Sequence, residues 1–146
     1  MNNRYLYRAK RKNWRELPKE MWWVEGYLFD DGFENGRMFV GGLVIEEYHG
    51  TACDDWSITG IDFYEVDQST ICKCTGLRDK NGKLIWENDI LNSGNLVVTW
   101  REELASYCLT KKGWMYQHFF GEAVDACDCE VIGNIFDNPE LLEVGE

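Results

Sequence analysis

The sequence predicts an all-β, mainly antiparallel fold. Apolar runs of strand length alternate with Gly, Asn and Asp turn signals along the chain. The 146 residues include seven Trp, seven Tyr and seven Phe, which pack well on a pleated face. Only two Pro are present against 14 Gly, so the turns depend on Gly, Asn and Asp. A chain of this length buries roughly 68–70% of its unfolded surface, enough for a core without staples.

Residues Arg4 to Lys10 read as the first strand, with Tyr5, Tyr7 and Ala9 on one face and basic residues plus Leu6 on the other. Trp22 to Phe29 follows and ends at Asp30-Asp31-Gly32. Arg37 to Tyr48 is interrupted by Gly41-Gly42, the mark of a bulge or a close backbone approach. Ile58 to Val66 and Thr70 to Thr75 come next. Leu84-Ile85-Trp86 pairs back across Asp79-Lys80-Asn81-Gly82, a strong hairpin signal. Ser93-Gly94-Asn95 turns into Leu96 to Trp100, and Glu102 to Ala105 makes one helical turn. Ser106 to Thr110, Lys111-Lys112-Gly113 and Trp114 to Phe120 form another hairpin, and Val131 to Phe136 is the last strand. Asp137-Asn138-Pro139-Glu140-Leu141-Leu142 places an Asp or Asn cap and a Pro ahead of a short helical turn. The seam falls near Gln68-Ser69. It separates a 1–68 N-terminal β region from a 69–146 C-terminal β-barrel-like region the size of an SH3-like barrel, and the two are expected to form one unit.

The net charge is −11, and it is segregated. Residues 1–15 hold six of the 15 basic side chains and no acid, which leaves nine basic against 26 acidic elsewhere. The acidic balance opposes non-specific binding to nucleic acid and anionic membranes. No apolar run approaches the ~20 residues of a membrane span, so membrane association is not expected and the cytoplasm is the expected compartment. A reducing compartment keeps the six Cys as thiols.

Cys72-Lys73-Cys74 and Cys127-Asp128-Cys129 are the candidate metal ligands, but zinc sites favour C-x₂₋₄-C spacing. A C-x-C on a strand puts its sulfurs ~6.6 Å apart along the chain. Buried thiols and no metal or other cofactor are expected. Gly76 to Lys83 carries the glycines of a P-loop with the wrong spacing, and Leu84 stands where a hydroxyl is needed. His49 and His118 lie in no catalytic signature. Glu87, Asp89, Asp79, Glu102 and Glu103 read as turn chemistry and a solvated acidic face, not as an acid/base pair. The basic segment, through Arg8, Lys10, Arg11 and Trp14, offers a nucleic-acid or partner contact. The acidic remainder of the chain, in cis or on a neighbouring subunit, is the better match for it.

The stretch TICKCTGLRDKNGKLIWENDIL, Thr70 to Leu91, strongly resembles the signature of the YopX family, small proteins encoded mostly by bacteriophages and prophages. Further blocks resemble the family at Tyr7 to Arg11, Trp23 to Tyr27, and Val131 to Phe136 with Asn138 to Leu142. The chain departs from the family in having Glu87-Asn88-Asp89 in place of Glu-Gly-Asp. Asn is the next best residue at positive φ, so the turn is expected to survive. Asp79, Asn81, Gly82, Asn88 and Asp89 are therefore read as structural turn residues. The Cys72 and Cys74 positions are not a family requirement. The resemblance implies YopX-like antiparallel, coiled sheets and a phage or prophage accessory protein. It also implies a non-enzymatic binding or assembly role. It carries over no catalytic residues, because the family defines none. The expected partners are a second copy of the chain, a phage protein or a host protein. Nucleic acid is the disfavoured alternative and a metal-dependent enzyme a distant third. Twenty-one aromatic side chains on a small domain leave apolar surface for such a partner.

Overall fold

The structure is a computed structural model that describes residues 3–34, 36–49, 54–92, 94–111, 118–120 and 125–143. It is mainly β. Among the described residues every helix is a short 3-10 turn, the longest being Pro139–Leu142. The chain divides into one unit of residues 6–71 and another of residues 1–5 with 72–146.

The unit of residues 6–71 is an antiparallel sheet of β1 (Tyr7–Lys10), β2 (Trp23–Asp30), β3 (Met38–His49) and β4 (Asp54–Glu65), adjacent in the order β4-β3-β2-β1. Cross-strand partners share a face and successive residues alternate. Val40 pairs with Leu28 and with Tyr64, and Ala9 pairs with Val24. Those residues define the inner face, where Ala9, Val40 and Val66 are buried with Val24, Leu28, Met38 and Ile71 packed around them. The sequence predicts a first strand from Arg4, but Asn3–Tyr5 is a 3-10 turn. The sequence also ends β3 near its true limit yet begins β4 at Ile58, four residues late, because acidic Asp54 and Asp55 look like turn residues.

The unit of residues 72–146 begins with the hairpin β5 (Cys72–Arg78) and β6 (Leu84–Trp86). A second sheet contains β7 (Asp89–Leu91), β8 (Leu96–Arg101), β9 (Ser106–Thr110), β10 (His118–Phe119) and β11 (Val131–Asn134), in the order β10-β9-β8-β7-β11. Its core joins Ile85, Leu91, Leu96, Val98, Leu109, Cys129 and Val131. The barrel-like expectation is corrected here, because β10 and β11 are the two ends of an open sheet among the described residues. Strand β7 was missed in the sequence, where Asn88-Asp89 reads as a turn. Asp89 is 1% exposed and its Oδ2 accepts the Trp86 amide at 2.8 Å, so a turn-type residue heads a strand. Thr70 belongs to a 3-10 turn, Gln68–Thr70, whose cap Asp67 accepts the Ser69 amide. The last strand stops at Asn134, whose Oδ1 accepts the Phe136 and Asp137 amides. Asn138 stands ahead of the terminal turn without capping it. Its Oδ1 instead accepts the Asn134 amide. The expected turn Lys111-Lys112-Gly113 and the residues Trp114 to Gln117 lie outside the described residues, apart from Lys111.

Candidate interaction surface

Strands β3 and β4 are each 12 residues long, but β2 pairs with β3 only from Met38 to Gly41. Beyond Gly41 the β3 and β4 segments pair with each other alone, from Gly42↔Asp62 out to His49↔Asp54. The close approach predicted at Gly41-Gly42 belongs to Gly41. A Cβ there would sit 2.0 Å from the Asp62 carbonyl oxygen, and a Cβ on Gly26 would sit 2.3 Å from the Gly41 oxygen. The backbones pack closely at this point and then part. The cleft between Val24-Glu25 and Leu43-Val44 measures about 410 Å³. The bulge is further along, where the register shifts between Val44 and Ile45. It leaves Thr59 out of the ladder, with its hydroxyl donating to the Val44 carbonyl at 3.3 Å.

The face opposite the Val40 core is apolar and exposed. It carries Tyr27 and Phe29 on β2, Leu43 and Ile45 on β3, and Trp56, Ile58 and Ile61 on β4. Ile61 is 70% and Trp56 63% exposed. Phe29 also meets Phe63 edge to face, with centroids 5.0 Å apart. Val44, on the inner side of the same ribbon, is exposed as well. A lone two-stranded ribbon is marginal in water, and among the described residues this one exposes side chains on both faces. At the tip, Glu47 Oε2 and His49 Nε2 lie 3.7 Å apart, both side chains exposed, beside a hollow of about 360 Å³ lined by Ile45 and Trp56. His118 lies on β10, where only its backbone is described.

The cations of β1 lie against aromatic rings. Arg8 is 9% and Lys10 2% exposed. The Lys10 ammonium lies 4.0 Å from the centroid of Trp14, 4.5 Å from that of Trp22 and 5.5 Å from that of Trp23. Trp14 and Trp22 meet edge to face at 4.9 Å, and the Trp14 indole NH donates to Asp67 at 3.2 Å. Arg8 lies over Trp23 and Arg11 over Tyr64. Indoles, the best cation-π acceptors, thus receive the Arg8 and Lys10 cations. The sequence placed Trp14 among contact residues but gave no sign that three indoles would converge on Lys10. They are separated from it by a 3-10 turn and a strand start that only the fold brings together.

The cysteines are distributed between core and surface. Cys72, Cys74 and Cys129 are buried thiols and Cys127 is an exposed one. Cys72 Sγ accepts from Asn88 Nδ2, and Cys129 Sγ donates to the Asp125 carbonyl. Among the described residues the one group of ligand-type side chains within 4.8 Å of each other is Asp125, Cys127 and Asp128, all exposed. It takes one of the four candidate cysteines, and exposed acidic groups of this kind are common without an ion.

The turn residues are placed together at the β5–β6 loop and the β6–β7 corner. Asp79 Oδ1 accepts the Asn81 and Lys83 amides, each at 2.9 Å, and Oδ2 accepts the Val131 amide at 3.0 Å. Burial pushes the Asp79 carboxyl up, but these amides outweigh it and hold the group below the usual carboxylate range. Gly82 has φ +79° and Asn88 φ +71°, the left-handed region each was expected to occupy. Asn81 reaches Glu130 from the loop tip. Glu87 accepts the Lys73 amide at 3.2 Å, and burial raises its pKa. Glu102 and Glu103 sit in an exposed 3-10 turn, with Glu103 paired to Arg101.

These features define a mainly β protein with two antiparallel sheets and an exposed apolar ribbon. The model of the YopX protein family matches residues 13–143, and the chain belongs to that family. No curated protein matches the chain. No helix among the described residues is long and apolar enough to cross a membrane.

Proposed function

We propose that the chain is a phage or prophage accessory protein that acts as a non-enzymatic binding or assembly module in the host cytoplasm. The observation that carries this reading is the β3–β4 ribbon beyond Gly41, which exposes Leu43, Ile45, Trp56, Ile58 and Ile61 together. Apolar patches of this extent on soluble chains mark partner sites. The carboxylates favour the same reading, because Asp79 and Asp89 spend their oxygens on backbone amides. A nucleic-acid role has less support, since the Arg8 and Lys10 cations lie buried against indole rings. The buried thiols Cys72, Cys74, Cys108 and Cys129 suit a reducing compartment.

The test is photo-crosslinking in the bacterial host, with a photoreactive residue replacing Trp56 and, as control, Glu102 in the other unit. The expected result is a discrete protein adduct from position 56 and none from position 102. Equal labelling at both positions, or none at either, overturns the proposal.

A further inference from the structure

The ribbon also points to its occupant. We infer that the exposed face packs on the same face of a second copy of this chain, across a two-fold axis lying over the Leu43–Ile61 pair. This rests on the binding reading above.

Area is the first argument. Seven large side chains about half exposed, at roughly 200 Å² each, present on the order of 700 Å² of apolar surface. A standard interface takes ~800 Å² from each partner, so the face approaches the size that a dimer needs.

Self-complementarity is the second argument. An isologous contact needs one patch that fits itself. With the axis across the ribbon at Leu43↔Ile61, two antiparallel copies lay β3 over β3 and β4 over β4. Ile45 then stands over Gly41, where a side chain meets a gap. Ile58 stands over Phe63. Glu47 at the tip stands over Phe39 at the root, and Trp56 stands over Glu65. No two carboxylates oppose each other in this register. The hollow beside Ile45 and Trp56 lies opposite the partner's Phe39 and Glu65, which are cross-strand in β3 and β4.

The outer edge of β4 is a poorer contact. The bulge at Thr59 breaks the row of free amides and carbonyls that edge pairing needs. Packing therefore uses the face.

Three measurements on the full chain test the inference. Light scattering coupled to size exclusion at micromolar concentration is expected to give twice the 17.1 kDa of one chain. Ile61→Glu puts two carboxylates on the axis and is expected to weaken association at least about tenfold. Its circular dichroism is expected to stay unchanged, because Ile61 is already exposed. Ile61→Cys is expected to give a covalent dimer on mild oxidation, well above the wild-type background from native thiols. Val44→Cys, on the opposite face, is expected to stay at that background. A 17.1 kDa species throughout, or equal crosslinking from positions 44 and 61, overturns the inference. An adduct from position 56 to a different protein, with a monomer in solution, also overturns it while the binding reading survives. Loss of the position-56 adduct altogether removes both.

Discussion

The Asp79 carboxylate accepts the Val131 amide at 3.0 Å across 52 residues of sequence. One oxygen thus ties the tip of the β5–β6 hairpin to the first residue of β11, while the other closes the hairpin's own loop through Asn81 and Lys83. Asp79 is a buried side chain, and of its three amides that of Val131 is buried with it. Asp79→Ala is expected to cost about 2–3 kcal/mol, because it leaves charge-assisted donors unmet. Urea denaturation of the variant checks this. A loss within experimental error of zero rejects the role.

The same carboxylate sets a pH dependence. Its folded pKa is depressed, so its contribution is present above the unfolded value of about 3.9 and disappears as pH falls through the folded value. Asp67 behaves alike, its carboxyl held low chiefly by the Ser69 hydroxyl. Glu87 has the opposite sign. Burial raises its pKa, so its ionisation destabilises the fold as pH rises through the folded value. Glu87→Gln keeps an acceptor for the Lys73 amide and removes the buried charge. It is expected to be more stable than wild type near pH 7 and indistinguishable from it near pH 3. Stability curves at the two pH values separate the cases.

The Lys10 ammonium and the Trp14, Trp22 and Trp23 rings give a spectroscopic readout. Lys10→Met keeps most of the stem but removes the charge. With contacts worth roughly 0.5–2 kcal/mol when desolvated, the variant is expected to lose about 1–2 kcal/mol and to shift tryptophan emission. Lys10→Arg is expected to restore part of both. An unchanged emission spectrum in Lys10→Met rejects the cation-π arrangement.

Gly41 has no room for a side chain, because its Cβ would press on the backbone of Asp62 and Phe63. Gly41→Ala is expected to cost more than about 2 kcal/mol, as overpacking against backbone cannot relax by a rotamer change. Gly42→Ala, with open space around its Cβ, is expected to cost under about 1 kcal/mol. Thermal melts of the pair test the difference.

Much of the fold was legible because the signals were local. Asn81-Gly82 marked its hairpin, Gly41 its close approach and Asn88 its positive φ, each through the backbone freedom of one residue. Periodicity placed β9 at Ser106–Thr110 without error. What stayed hidden depended on distant partners. Asp89 looked like a turn residue until the buried Trp86 amide was seen to need it. Lys10 reads as a charged contact for an acidic or nucleic-acid neighbour, because nothing within β1 shows that Trp14 and Trp22 fold over it. The exposed ribbon was hidden for the same reason. Leu43, Ile45, Ile58 and Ile61 have the alternation of a half-buried strand, but the register puts them on the face opposite the buried Val40, where they stand exposed.

The division of the chain has a consequence for synthesis. Residues 6–71 are contiguous, whereas the other unit needs residues 3–5 together with everything after 72. The ribosome therefore completes the four-stranded sheet first. It must then add the whole span to β11 before Asp79 can find the Val131 amide. At roughly 5–20 residues per second, the nascent chain holds its apolar ribbon outside the exit tunnel for seconds before β11 follows it. Neighbouring ribosomes on one messenger thus present finished ribbons to one another while translation is still under way.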